Sequence, residues 1–400
     1  MRQGVTEAEP HIKRQGIKYN IFFILISFLF ILAQSPYAEE RSISLKKREY
    51  VPYGNDWPMF LKNSAHIPSS SEELRPPLKE RWKFQSEGAF FSSPVIYDGN
   101  IFIGDQNGQF YAINVRTGKV VWKFNAKDAI TSTPAAYKGK VYFGSKNGNI
   151  YALNVATGVL IWTYSTSAPV VSSPVISNDI LYIASNNLNL YALNAASGKM
   201  RWKFKLDDYK YGGVYSSPAI SCGLVFIAGK KGTIYGLDPL KGTQVWSFQT
   251  GSAIYSSPSI REDTLYIGSY DRSMYALNCS TGKLIWKTPL SDWIYSTPVG
   301  WKDTLYVGTK DAILYFLDAA TGETRASYPV EGGISSSMLV VKNGYGFIGT
   351  ESGYLYAVDL LTKKLGWKYK LDGGIHSSPA INNGVVYVAT TDGILYALGK

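Results

Sequence analysis

A Ser-Ser-Pro phrase and its near copies return at a fixed interval along this 400-residue chain. Pro94, Pro134, Pro174, Pro218, Pro258, Pro298 and Pro379 stand 40, 40, 44, 40, 40 and 81 residues apart, and Met338 lies 40 after Pro298. The Tyr of a Tyr-Ala-Leu-Asn-like phrase gives the same count at Tyr111, Tyr151, Tyr191, Tyr235, Tyr275, Tyr315, Tyr356 and Tyr396. Trp recurs in step at Trp82, Trp122, Trp162, Trp202, Trp246, Trp286 and Trp367, with Ala326 at the place left over. A period near forty residues means one supersecondary unit copied many times, each copy burying its apolar surface against its neighbours.

Within a unit the pattern is that of short strands. In the fifth, "SSPSI", "TLYIGS", "SMYALN" and "LIWKT" alternate and are separated by polar turns, as antiparallel hairpins require. The 30 Tyr, 38 Gly and 10 Trp suit pleated surfaces and tight turns. Four strands per unit and eight units predict an all-β fold, an eight-bladed β-propeller of four-stranded antiparallel blades. The ends are offset: a Trp strand, Arg81 to Phe84, precedes the first Ser-Ser-Pro, and none follows the last unit. The N-terminal strand is therefore expected to complete the last blade and close the ring, removing an open edge. The small Ser pair suits a crowded innermost strand. The Gly of "TGK" suits a left-handed turn. The Trp is expected to wedge between blades rather than to stack a ligand, and its truncation to cost roughly 3–5 kcal/mol.

These phrases, among them "YAINVRTGKVVW" (Tyr111–Trp122) and "YALNCSTGKLIW" (Tyr275–Trp286), resemble the PQQ-like, quinoprotein-type propeller repeats from about Asp56 to Lys400. "NDWPMFLKNSAH" (Asn55–His66) is similar to the lead-in of such propellers. Size and layout are most similar to the outer-membrane protein assembly factors of the BamB type. That resemblance implies a non-enzymatic envelope scaffold with protein partners. The family's enzymes imply an alternative, an oxidoreductase using PQQ with calcium. The adjacent Cys-Cys pair of those enzymes is missing, and so is the lipid-bearing Cys of BamB-type proteins. No catalytic, cofactor-binding or metal-ligating residue is therefore carried over.

Ile21 to Ala33 is a run of thirteen apolar-dominated residues behind a basic lead. It spans about 20 Å as a helix, short of a ~30 Å bilayer core, so it reads as a signal peptide cut near Ala38, with an uncleaved anchor as the alternative. The expected organisation is a signal at 1–38, an extension at 39–78 and the propeller at 79–400. The mature chain is expected to carry no transmembrane span and to lie in the periplasm or at the cell surface. Net charge is +11; residues 1–38 carry four basic and two acidic side chains, +2, which leaves +9 spread over the remainder. That reads as a solvated basic surface, with no nucleic-acid partner. Export permits a disulfide, but Cys222 and Cys279 fall in turns of neighbouring repeats and are expected to stay unpaired. Within the extension, residues up to Ser64 are expected to matter little for stability.

Repetition argues for scaffolding, so function is sought where repeats differ. Trp-to-Pro spacing is 12 except from Trp202 to Pro218, where it is 16. The extra residues lie in "LDDYKYGGVY", whose Tyr209 and Tyr211 suggest a contact loop. The residue three before each motif Pro is expected at the channel mouth. Around the ring it reads Phe91, Thr131, Val171, Tyr215, Tyr255, Tyr295, Ser335 and His376, and Trp293 lies close by. Ser always follows inward. A polar funnel with an aromatic rim would suit a peptide, a glycan or a ring-shaped ligand, the alternative being aromatic plugging of a wide channel, and Phe91, Tyr209, Tyr211, Tyr215, Tyr255, Trp293, Tyr295 and His376 are the candidate binding residues. Catalysis has little support: His376 is the sole His in the propeller, and nothing in the sequence marks an acid beside it. N-terminal sequencing of the envelope protein is expected to find a start just after Ala38; a chain beginning at Met1 would contradict the signal-peptide reading.

Overall fold

A computed structural model describes residues 56–207 and 213–400. The signal-peptide reading and its cleavage point lie outside the described residues. Eight sheets form a ring, each antiparallel within its blade. Blade one runs Val95–Tyr97, Asn100–Gly104, Gln109–Asn114 and Val120–Asn125, from the innermost strand outward, and each later repeat copies it. Strand Lys79–Gln85 pairs antiparallel with Ile394–Gly399, so Trp82 sits opposite Ala397 in the last blade. The ring closes as its offset ends predict. In every blade the register shifts just before the Trp position, as between Val120 and Trp122. This is a bulge, which increases the local twist.

The Trp residues are wedges. Trp122 and Trp246 donate Nε1–H to the carbonyls of Val155 and Cys279 in the next blade, each at 2.9 Å. A Cβ on Gly158 or Gly282 would lie 2.6 Å from the ring of Trp122 or Trp246. Each turn Gly thus supplies a positive φ and also leaves room for the preceding blade's indole. The two departures in the repeat are therefore one event. Lys363 takes the Gly position of blade seven at φ 59°, and the indole it would have faced is Ala326 of blade six.

The Ser pairs are also structural. The first Ser of each pair is almost fully buried, and several accept an amide from their own blade's second strand, as Ser296 does from Gly308 at 3.1 Å. The second Ser or Thr accepts an amide from its neighbour. Ser93 N donates to Thr133, Thr133 N to Ser173, and so on to Ser378 N, which donates to Ser93 Oγ at 2.9 Å across the closure. Between blades five and six, Ser256 Oγ donates to the Ser296 carbonyl instead, at 3.0 Å. The funnel expected to be lined by Ser hydroxyls is not formed, because the first Ser of each pair is buried in its own blade and the second is bonded by a neighbour.

The extension fills the channel. Its carbonyls at Trp57, Pro58, Ser64, Ala65 and Pro68 accept the amides of Ile96, Ala136, Ile220, Ile260 and Val340 at 2.6–3.0 Å. Each donor is the middle residue of an innermost strand, whose inner edge has no partner in its own blade. Ser69–Ser70 adds a parallel strand to Leu339–Val341, and the Gly384 amide donates to Glu72. Trp57, Met59 and Leu61 are buried. This corrects the expectation that residues up to Ser64 matter little: they satisfy backbone donors that would otherwise line an open channel.

A second correction concerns the thiols. Cys222 and Cys279 form a disulfide. Cys222 lies in a first-to-second strand turn of blade four and Cys279 in a third-to-fourth strand turn of blade five, and the packing of adjacent blades brings these turns together on one face. Closing a loop across a sequence separation of 57 is worth about 2–4 kcal/mol.

His66, within the channel segment, is buried and stands edge-on to Phe60 at 5.1 Å. Its Nδ1–H donates to the Pro258 carbonyl at 2.8 Å. Burial pushes its pKa down from 6.5 to about 4, although the Pro258 bond opposes that. The unfolded chain binds the proton first, so this contribution is whole above pH 6.5 and is lost as pH falls towards 4, about 3 kcal/mol in all. His66→Gln is expected to flatten that part of the decline in melting temperature. An unchanged pH profile would contradict it. Deleting residues 56–64 is expected to lower the melting temperature strongly, which differential scanning calorimetry would read.

Candidate functional site: an aromatic and cationic channel mouth

Two sets of turns share the open face. In blade after blade, the turn between second and third strands donates an amide to the loop entering that blade, as Lys146 does to Ala129 and Lys310 to Trp293. This pairing places a second ring of side chains beside the predicted rim. It reads Gln106, Lys146, Asn186, Lys230, Tyr270, Lys310, Glu351 and Thr391. Both ends of the four-residue insertion emerge here: Asp207 accepts from Thr233 at 2.9 Å, and Val214 N donates to Asn186 at 3.0 Å. Tyr209 and Tyr211 lie outside the described residues.

The structure brings Tyr215, Tyr255, Trp293 and Tyr295 into one cluster and adds Tyr270. Tyr270 stacks on Trp293 at 4.9 Å and 3° and on Tyr255 at 4.3 Å and 19°. Tyr255 also meets Tyr215 at 5.1 Å and Tyr295 at 5.4 Å. Tyr215 and Trp293 keep 44% and 42% of their surface exposed, much for rings this large. Lysines cover the flanks. Lys230 lies 4.7 Å from the Tyr215 ring centre and 5.3 Å from that of Tyr255, and Lys310 lies 5.5 Å from Tyr295.

Beside this cluster, towards blades seven and eight, the rim is polar. Lys310 Nζ reaches both oxygens of Glu351 at 2.5 Å, and Ser335 Oγ donates to the same carboxylate. Burial raises the Glu351 pKa, but the bonds from Lys310 and Ser335 and the Lys310 charge outweigh it and hold the group below its ordinary value. His376 Nδ1 stands 3.9 Å from Glu351, and its ring meets Phe91, itself 40% exposed, at 5.1 Å. Burial lowers the His376 pKa, Glu351 raises it in part, and Lys310 lowers it again. The acid that no sequence feature marked is thus Glu351, two residues past the end of a second strand in blade seven. It is not a base-orienting partner of a nucleophile, because Ser335 donates to Glu351 itself. Cys222, Asp263 and Cys279 bring three ligand-type atoms within 4.8 Å of one another, but the two sulfurs are bonded to each other and are not thiolate ligands.

Fold and mouth together define a propeller whose channel is occupied by its own N-terminal segment and whose opposite face carries an aromatic and charged rim. The family model described as "Beta-alanine-activating enzyme, beta-propeller" matches residues 79–304, over half of the chain, and a second, described as "Outer membrane protein assembly factor BamB", matches residues 317–400. The chain belongs to the PQQ-like repeat family of β-propellers. The activity in the first description is that of the enzyme it names and is not transferred here. No curated protein matches the chain. BamB from Moraxella catarrhalis superposes with a TM-score of 0.71 at 18% identity, covering 81% of this chain and 100% of its own. The quinohemoprotein alcohol dehydrogenase of Comamonas testosteroni gives 0.74 at 15%, covering 86% and 80%. A europium-containing methanol dehydrogenase gives 0.73 at 14%, covering 86% and 98%. At these identities the likeness is one of fold.

Glu351→Gln removes the charge that raises the His376 pKa while Lys310 stays. His376 is expected to titrate lower in that variant than in the wild type, followed by its imidazole NMR shifts. A rise would contradict the arrangement.

Proposed function

We propose that this protein is an exported, non-enzymatic binding scaffold of the cell envelope that holds protein partners at its open mouth. The observation that carries the reading is the Tyr215–Tyr255–Tyr270–Trp293–Tyr295 cluster, partly exposed on a rigid rim. Rigid aromatics give contact area at low entropic cost and dominate interfaces that bury them. The match to the BamB model and the superposition on BamB support a role in outer-membrane protein assembly. The disulfide supports export into an oxidising compartment. Among the described residues no helix is long and apolar enough to cross a membrane. The dehydrogenase superpositions rest on the shared fold and supply no cofactor-binding residue.

A photo-crosslinking amino acid at Tyr215 is expected to capture the partner in envelope extracts, and one at Lys241, in a turn of the opposite face, is expected not to. Once the partner is in hand, Tyr255→Ala with Trp293→Ala should weaken binding by about 1–2 kcal/mol in calorimetry. Capture from Lys241 alone would place the interface on the wrong side of the ring.

A further inference from the structure

Blade six departs from the repeat in a way that opens a second site. In the seven other blades the fourth-strand Trp stands opposite Ala or Gly of the third strand. In blade six the sizes are exchanged: Ala326 stands opposite Phe316, and the Phe316 ring is buried in the core shared with blade seven. The exchange redirects another ring. Two residues after the Trp position, five blades carry an aromatic that stands edge-on to the third-strand Tyr of the next blade. These pairs are Phe84 with Tyr111, Phe124 with Tyr151, Tyr164 with Tyr191, Phe204 with Tyr235 and Phe248 with Tyr275, at 5.2–5.8 Å. Tyr164 also reaches Met200 Sδ of that next blade at 3.4 Å. Tyr328 holds this position in blade six, but it meets Phe316 of its own blade at 5.5 Å instead. The counterparts of Tyr191 and Met200 in blade seven are Tyr356 and Leu365, and both line an open cleft of about 500 Å³ together with Pro329 and Val330 of blade six. We propose that this cleft binds an aromatic side chain of a protein partner, seated on Tyr356 where other blade pairs place a ring of their own. The inference rests on the protein-binding reading and adds a second contact point to it.

The walls suit such a guest. Pro329, Val330 and Leu365 are apolar, and the Glu331 amide donates to the Tyr356 hydroxyl at 3.0 Å, which holds the Tyr356 ring in place. The two charged residues that line the cleft, Glu331 and Lys368, form an ion pair with each other, so an ionic guest would have to displace that pair. An aromatic ring gains area as an aliphatic group does, and gains the edge-to-face contact with Tyr356 in addition. The place in the fold argues for a polypeptide as the source. Glu331 opens the loop that enters blade seven on the mouth face, and two residues further on the Gly333 carbonyl accepts the amide of Glu351 at 2.9 Å. Gly332 and Gly333 carry no side chains between the cleft and the rim. A chain seated at the mouth can cross this loop and lower one ring into the cleft.

The test uses the full mature chain with labelled Val and Leu methyl groups, so that Val330 and Leu365 report on the cleft by NMR. The probes are the tripeptides Gly-Phe-Gly, Gly-Tyr-Gly, Gly-Leu-Gly and Gly-Lys-Gly, with p-cresol as a free aromatic. The Phe and Tyr tripeptides are expected to shift both reporters and to bind at least about threefold more tightly than the Leu tripeptide. Leu365→Met, which copies Met200 of blade three, should keep that binding, and Leu365→Arg should abolish it, both at unchanged melting temperature. Ala326→Trp with Phe316→Ala restores the common pair, should return Tyr328 to Tyr356, and should also abolish binding; if this double variant does not fold, the two Leu365 variants decide. Equal binding of the Leu or Lys tripeptide overturns the proposal, as does binding of p-cresol with no tripeptide, or of no probe. If the aromatic tripeptides leave Val330 and Leu365 unmoved while Tyr215 still crosslinks its partner, the cleft falls and the mouth stands. Crosslinks from Lys241 alone take both down, because the partner then sits on the face away from the cleft's loop.

Discussion

Each blade ends inward in a three-residue strand whose inner edge has no partner within its own sheet. Eight such edges face one channel, and a buried amide without an acceptor is costly. This protein meets the constraint with its own chain. Residues 57–68 supply carbonyls to five of those strands, and the Ser/Thr girdle ties each innermost strand to the next. The Trp wedges then fasten the outer strands of one blade to the turns of its neighbour. The ring is held at three radii, by the channel segment, the Ser/Thr girdle and the Trp wedges.

Filling the channel from one side has a consequence for function. It leaves one open end, and that end is where the repeat is least regular. Four extra residues enter between blades three and four, and tyrosines take the rim in three consecutive blades. Tyr270, Lys310 and Glu351 stand on turns whose backbone amides donate to the loop beside them. A rigid frame carrying variable side chains suits recognition. Ser335, Lys310 and His376 gather around the Glu351 carboxylate as one polar network.

The fold was legible because periodicity speaks directly to it. Three landmarks with one period gave the number of blades, and the offset Trp strand gave the closure. The mouth was legible in half: counting back from each Pro found Tyr215, Tyr255 and Tyr295. Tyr270, Lys230, Lys310 and Glu351 were missed because they occupy a turn position that reads as filler in any single repeat. Aligning that position around the ring, one or two residues past the end of each second strand, was the signal that could have found them. The Cys222–Cys279 bond depends on how turns of adjacent blades abut, which spacing along the chain does not encode. The extension carried no period, so its role in the channel had no signature beyond Trp57, Met59 and Leu61. Ala326 and Lys363 looked like two separate lapses until the packing of indole on turn showed them to be one.

Hydrogen exchange at the innermost strands tests the central claim, that the chain's own N-terminal segment occupies the channel and leaves one open end. The amides of Ile96, Ala136, Ile220, Ile260 and Val340 donate to that segment, so in the intact protein they should exchange as slowly as core sheet amides. They should speed up together when residues 56–68 are removed. Rapid exchange at all five in the intact protein would mean that the channel is open at both ends, and would contradict the account.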